Sequence, residues 1–209
     1  MEYEIRFYYS KEEKDNLISI LDKIYSLSCE GRVYEKTIQY NSTLKGNDFY
    51  SESIDGRYRV RLTKGENVSK CLLSWKKRLN DTNKNLINKE KEIECRINSE
   101  DYENFIYLTE NVVKLKRVES YERYRTSYIN DDIEISIDEY PFGIALELEA
   151  KSDVNQEKII DRYMKLLDLK YENSYRLSWD DKYEELCLEQ GIDKKQDVLF
   201  SDENMPVIK

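Results

Sequence analysis

Two pairs of glutamates with the spacing Glu-x-Glu are the residues most suited to metal chemistry. Glu2 and Glu4 stand at the N-terminus, and Glu147 and Glu149 lie about 145 residues later. On a β-strand, residues i and i+2 share one face about 7 Å apart, where two carboxylates repel unless a cation separates them. If the two strands are neighbours, four carboxylates converge, with Asp138 as a candidate fifth. Such oxygen ligands suit Mg²⁺ or Mn²⁺, whereas either pair alone is consistent with a solvated acidic strand face.

Basic side chains with the same alternate spacing are the second candidate for chemistry. Guanidinium groups match phosphate oxygens with two parallel hydrogen bonds, so arginines from several strands can surround a polyphosphate. The alternative is a set of cross-strand salt bridges with the glutamates, and the two interpretations are compatible when no substrate is bound. The basic set is Arg6, Arg59, Arg61, Lys76, Arg78, Arg123 and Arg125, together with Lys116, whose strand register is ambiguous.

The composition excludes several other classes of function. The chain has no histidine, which rules out Ser-His and Cys-His nucleophile pairs and zinc sites with histidine ligands. Neither a phosphate loop nor a dinucleotide-binding glycine motif is present. A net charge of −9 disfavours general nucleic-acid binding. The four separated cysteines, with no membrane-spanning run and no signal-peptide pattern, predict a cytoplasmic protein that does not bind a membrane.

The elements that must position these residues are strands with charge on one face and apolar side chains on the other. This alternation predicts one α+β domain with about eight mostly antiparallel strands. Two architectures fit it: an open sheet or sandwich with wet charged faces, or a closed barrel with a charged lumen whose apolar exterior is covered by helices. The predicted helices cover residues 11–28, 100–111, 155–168 and 180–190, and the predicted strands begin at residue 2 and end at residue 150.

The order of the motifs resembles the triphosphate tunnel metalloenzyme superfamily, also called CYTH domains, which includes class IV adenylyl cyclase, thiamine triphosphatase, and inorganic and RNA triphosphatases. A strand with Glu-x-Glu and a basic residue comes first, and Arg-x-Arg, Lys-x-Arg and Glu-x-Glu strands follow. The segment from Asp138 through Gly143 to Glu147 and Glu149 is similar to the family's closing motif. Ser174 and Tyr175 also fit, and the resemblance covers residues 1–187.

The resemblance implies an eight-stranded antiparallel β-barrel, or tunnel, that binds a triphosphate with Mg²⁺ or Mn²⁺. By this carry-over the metal ligands are Glu2, Glu4, Asp138, Glu147 and Glu149. The phosphate-binding residues are Arg6, Arg59, Arg61, Lys76, Arg78, Lys116, Arg123 and Arg125. Glu92 and Glu94 have a supporting role, and the predicted catalytic residues are Glu4, Arg6 and Glu149.

One residue departs from the family pattern, because the first strand usually ends in lysine and this chain has Arg6. Arginine stays protonated, so proton transfer from water must pass to a carboxylate or depend on the metal. The leading expectation is metal-dependent hydrolysis of the terminal phosphate of a triphosphate substrate, namely inorganic triphosphate, thiamine triphosphate, a nucleoside triphosphate or an RNA 5′-triphosphate. The alternatives are a class IV-type adenylyl cyclase and a binding module without turnover.

The expected domain organisation is a tunnel domain over residues 1–190, followed by an acidic and loosely ordered tail over 191–209. A monomer and a homodimer are both compatible with the sequence.

Overall fold

The structure, a computed structural model, describes residues 2–46, 48–49, 56–79, 87–152 and 154–209, apart from the side chains of Glu2 and Lys89. The strands are β1 (Glu2–Tyr9), β2 (Ser28–Asn41), β3 (Gly56–Lys64), β4 (Ser69–Arg78), β5 (Asn88–Ile97), β6 (Lys116–Ile129), β7 (Ile133–Tyr140), β8 (Gly143–Ala150) and β9 (Asp197–Val198). The helices are α1 (Lys14–Leu21), α2 (Tyr102–Tyr107), α3 (Gln156–Leu166) and α4 (Trp179–Gln190).

Eight antiparallel strands form one curled sheet whose two outer strands also pair with each other. The order is β2-β3-β4-β5-β1-β8-β7-β6, and β6 returns to β2. That last pairing runs from Ser28 opposite Ile129 to Asn41 opposite Lys116, with two register irregularities. The ring of pairings confirms the α+β class predicted by the strand pattern and the tunnel implied by the family resemblance, rather than the open sheet that the pattern also allowed.

The apolar strand faces point outwards and are covered by helices. Ile5, Ile135 and Leu148 belong to one buried cluster, which α1 and α3 complete with residues such as Leu21 and Ile160. A second cluster joins the outer faces of β2, β3 and β4 to Tyr102 of α2. Because side chains alternate along a strand, the residues between these apolar positions, such as Arg6 and Glu147, must point into the barrel.

The first helix is shorter than its pattern predicts. A 3-10 turn over Lys11–Glu13 precedes α1, which ends at Leu21 rather than near residue 28. Ile24 and Leu27 still pack against the core, but from turns, because the chain from Ser28 onwards pairs with the end of β6. Tertiary pairing therefore takes these residues out of a helix that their spacing favours.

The segment after Gly191 packs against the barrel, although little burial was expected there. β9 pairs in parallel with β6, and Val198 is buried in a third cluster, which is largely aromatic. The backbone amide of Ile208 donates to the carbonyl of Phe142 at 3.0 Å. The domain boundary at residue 190 stays a prediction.

In the parts of the chain that the structure describes, no helix is both long and apolar enough to cross a membrane.

The covered exterior is expected to carry much of the stability. Ile135 is 0% exposed in the largest cluster, whereas Ile93 on β5 is 54% exposed. Ile135→Ala should lower the free energy of unfolding by about 3 kcal/mol, because it leaves a buried cavity. Ile93→Ala is the matched control and should change it by roughly 0.5 kcal/mol or less. Urea denaturation measures both, and equal effects would contradict this assignment of the core.

Candidate functional site

A cavity of about 430 Å³ lies inside the barrel, and all eight strands of the ring contribute side chains to it. Among the described lining residues, charged groups of the two signs are equal in number. The eight basic residues are Arg6, Arg59, Arg61, Lys70, Lys76, Arg123, Arg125 and Lys151. The eight acidic residues are Glu4, Glu30, Glu35, Glu92, Glu94, Glu134, Glu147 and Glu149.

Most of the residues singled out in the sequence meet in this cavity. The members that line it are Glu4, Arg6, Arg59, Arg61, Lys76, Glu92, Glu94, Arg123, Arg125, Glu147 and Glu149. Their contacts with metal or phosphate stay predictions, but their convergence from six strands is a property of the fold.

Three predicted site residues are placed differently, and the side chain of a fourth is not described. Asp138 is fully buried behind the lining, where it holds two arginines. Arg78 contacts Glu90, with 3.4 Å between Nε and Oε1, and lies outside the lining. Lys116 is exposed at the start of β6. The side chain of Glu2 lies outside the described residues.

The acidic strands β1 and β8 are neighbours, as the metal hypothesis requires. Glu4 lies opposite Glu149, and Arg6 lies opposite Glu147. Arg6 donates from Nε to Glu147 at 2.5 Å and also contacts Glu4 at 3.4 Å. Lys76 of β4 reaches Glu4 at 3.5 Å. The carboxylates are therefore paired with basic residues of the same lining.

Glu147 is held in its ionised form by this pairing. Burial by itself raises the pKa of a carboxyl group, but the Arg6, Arg125 and Arg123 guanidinium groups hold the pKa of Glu147 well below its usual range. Arg125 donates to its second oxygen at 2.5 Å. The side chain is thus a permanent anion at neutral pH and a hard oxygen donor.

Two buried carboxylates fix the arginines of β6. Asp138 accepts from Arg123 at 2.5 Å and from Arg125 at 2.6 and 2.7 Å. On the other side, Glu35 of β2 accepts from Arg123 Nε at 2.8 Å and from the Thr63 hydroxyl at 2.9 Å. Because Arg123 is held on both sides, its guanidinium plane is fixed before any ligand arrives.

Glu35 is a site residue that the sequence did not reveal. It follows Tyr34 and precedes Lys36 on β2, so charges fall on both strand faces and the alternation that identified the other residues is broken. Only the pairing of Glu35 with Arg123 of β6 shows that it faces inwards. Burial opposes its ionisation, yet Arg123, Arg61 and Arg125 lower its pKa well below the usual range.

Tyr121 is a second site residue that the sequence did not reveal. Its hydroxyl lies 3.5 Å from Nη2 of Arg61, and its ring packs against Trp179 with 4.3 Å between centroids. Burial raises the pKa of a phenol, but the charges of Arg61, Arg123 and Arg59 outweigh it and lower the pKa of Tyr121 to about 8. The sequence did not single out Tyr121, because the chain contains 18 tyrosines.

No protein-family model and no curated protein matches this sequence. Solved structures do match it. The PH1819 protein from Pyrococcus horikoshii OT3 is 22% identical with a TM-score of 0.66, covering 91% of this chain and 99% of that chain. The putative adenylyl cyclase HpAC1 from Hippeastrum, whose description reports a dominant triphosphatase activity, is 14% identical with a TM-score of 0.58, covering 94% of this chain and 99% of that chain.

The likeness shows that this chain shares the fold of these solved structures. The same fold also occurs in a chain of the Schizosaccharomyces pombe Mediator head module, which is 10% identical with a TM-score of 0.54 and covers 80% of this chain and 95% of that chain. At these identities the likeness concerns the tunnel architecture. What the tunnel does must be argued from its lining.

The Glu35 contacts predict a specific dependence of stability on pH. Its folded pKa is lowered from 4.5, so the stability it contributes is fully present above about pH 4.5 and is lost as the pH falls through the lower folded pKa. Glu35→Gln should therefore be less stable than the parent at pH 7, with a difference that shrinks below about pH 4.5. Urea denaturation across this range measures it. Glu189→Gln, on the exposed side of α4, is the control, and a pH-independent difference would contradict the ion pairing.

Tyr121 should ionise earlier than the other buried tyrosines. The phenol is neutral below about pH 8 and becomes a phenolate above it. Ultraviolet difference titration of the parent minus Tyr121→Phe should show one phenolate with a midpoint near pH 8. Tyr128→Phe is the control, since burial and a hydrogen bond to Asp22 raise the pKa of Tyr128. Superimposable curves for parent and Tyr121→Phe would show that the arginines do not act on Tyr121.

Proposed function

We propose that the protein binds the triphosphate group of a small-molecule substrate in this cavity and hydrolyses its terminal phosphate with the help of Mg²⁺ or Mn²⁺. The observation that carries the proposal is the convergence of five arginines and the carboxylates of two neighbouring strands on one enclosed cavity. Guanidinium groups held by buried carboxylates are suited to phosphate oxygens, because they need little reorganisation when the ligand binds.

The charge balance of the cavity supports a metal requirement. Acidic and basic lining residues are equal in number, so a triphosphate with several negative charges gains no net attraction from the lining alone. A divalent cation bound by the carboxylates would add positive charge to the cavity and neutralise phosphate oxygens.

The donor chemistry fits such a cation. Glu4, Glu147 and Glu149 offer hard oxygens on adjacent strands, and these three would hold the metal. Among the described side chains, no three acidic or cysteine groups are already clustered as a metal site. Arg6 and Lys76 are the present partners of Glu4, so metal binding would exchange these ion pairs for phosphate contacts.

A carboxylate is the proposed acceptor for the proton of the attacking water. Arg6 cannot accept a proton. Burial lowers its pKa, but Glu147, Tyr8 and Glu4 among its neighbours together outweigh burial and raise the pKa further. Glu4 and Glu149 face each other across β1 and β8 in the same cavity and are the proposed acceptors. Arg59, Arg61, Arg123 and Arg125 would stabilise the charge that develops on the transferred phosphoryl group.

Product analysis tests the reaction. Inorganic triphosphate, thiamine triphosphate and ATP are each incubated with the protein and Mg²⁺ or Mn²⁺, and orthophosphate should be released from at least one of them. Cyclic AMP with pyrophosphate would establish a cyclase instead, and binding by calorimetry without turnover would establish a binding module.

Matched variants test the site. Glu4→Gln and Glu147→Gln should each lower metal-dependent turnover by about 100-fold or more, because each removes a charge directed at the reacting group. Glu139→Gln is the control: Glu139 lies on the outer face of β7 and pairs with Lys14 and Arg32. Unchanged activity in both cavity variants would overturn the site assignment.

A further inference from the structure

One part of β5 lies at an edge of the barrel wall. The pairing of β5 with β4 continues as far as Cys71 opposite Ile97. On its other side β5 pairs with β1, but only through residues 88–90. Among the described residues, no strand pairs with that side of residues 91–97, the β5 extension. In the described part of the chain, the β5 extension is therefore an edge strand.

The strand beyond β1 also ends before it reaches the level of the β5 extension. Tyr3 of β1 pairs with Lys89 on one side and with Ala150, the last residue of β8, on the other. Residues 91–97 therefore run past the end of β8. Backbone N–H and C=O groups point alternately to the two sides of a strand, so about half of those in the β5 extension are directed away from β4.

The β5 extension is exposed on both of its faces. On the outer face, Ile93 is 54% exposed and Cys95 is an exposed free thiol. On the inner face, Glu94 borders the cavity, and both Glu94 and Arg96 are exposed. Natural sheets usually pair or cover an edge that carries exposed apolar residues. The exposed edge is therefore a candidate interaction surface.

The sequence of the β5 extension is complementary to itself. Antiparallel pairing of two copies centred on Cys95 places Glu94 of each copy opposite Arg96 of the other. The same register places Ile93 of each copy opposite Ile97 of the other. Facing side chains of opposite charge, and facing apolar side chains, stabilise a pair of strands.

The neighbouring registers lack this complementarity. Centring the pair on Glu94 places that carboxylate opposite itself, and centring it on Arg96 brings two guanidinium groups together. Centring it on Ile93 places Glu92 opposite Glu94. Parallel pairing in register would place every charge opposite its like. Because like charges directly opposite each other are destabilising, the sequence selects the register centred on Cys95.

We propose that the β5 extension is a dimerisation edge, to which a second copy of this chain adds its own β5 in antiparallel orientation about a twofold axis at Cys95. Each copy satisfies the outward backbone groups of the other, and one sheet continues across the axis. Arg96 of the second copy then pairs with Glu94 at the border of the cavity. The interface is independent of the reaction proposed for the cavity, so either can fail without the other.

The mass of the protein in solution tests this proposal. Sedimentation equilibrium of the full chain should give twice the 25.2 kDa of one copy. Arg96→Glu should raise the dimer dissociation constant by about tenfold or more, because it converts two opposite-charge pairs into two like-charge pairs. Lys158→Glu, the same change of charge at an exposed position of α3, is the control and should leave the constant unchanged.

A parent protein that stays monomeric at about 100 µM, above the micromolar constants of weak interfaces, would overturn the proposal. The edge would then be left to a strand of some other protein.

A charge exchange separates this register from any other interface. Glu94→Arg and Arg96→Glu should each weaken the dimer. The double variant returns opposite charges to the facing positions and should bring the dissociation constant to within about threefold of that of the parent. A dimer that ignores both single changes, or that the double change does not restore, would show that the copies meet elsewhere and would overturn the proposed edge.

Cysteine crosslinking gives a readout that does not depend on the charge variants. At the twofold axis the Cβ atoms of the two Cys95 residues lie about 5 Å apart, so a short bismaleimide reagent should join two parent chains. Cys95→Ser should abolish the crosslinked dimer. Cys29→Ser, which removes another exposed free thiol, is the matched control and should retain it. Crosslinking that requires Cys29 instead of Cys95, in a protein that sediments as a dimer, would contradict the proposed axis.

Discussion

The pairing of β2 with β6 is the constraint on which the rest of the structure depends. Without it the sheet has two edges, and the charged faces of its strands stay in water. With it the eight strands form a ring, and alternate side chains from each strand must share one enclosed space. The apolar side chains that alternate with them must then lie on the outer surface of the ring. Amphipathic helices are needed to cover this surface.

Closure forces the enclosed charges to neutralise one another. Burying an unpaired charge is costly, whereas carboxylate and guanidinium groups with good geometry satisfy each other. Asp138 and Glu35 illustrate the result, because each holds Arg123 from one side. Such pairs contribute weakly to net stability, but they leave the arginines fixed and their remaining donors directed at the cavity. The same network that permits folding therefore prepares an anion site.

The likeness to other solved structures identifies the fold of this chain but does not identify its function. One matching structure is a putative adenylyl cyclase with a dominant triphosphatase activity, and another is a chain of a Mediator head module. A tunnel of this kind is therefore compatible with quite different roles. In this chain the distinguishing features are local: Arg6 on β1, the equal numbers of acidic and basic lining residues, and the contact of Trp179 with Tyr121 in the lining.

The sequence by itself determined most of the strands and, for most of them, which side chains form the charged face and which form the apolar face. These follow from residue spacing, because period-2 alternation is a local property that needs no knowledge of partners. Only the tertiary structure decided which residues meet. It placed Asp138 behind the arginines rather than in the lining, and it turned Glu35 inwards although Lys36 beside it is also charged. It also brought Trp179 from a late helix to the end of the barrel. These outcomes depend on contacts between residues distant in the chain, which spacing along a single strand does not encode.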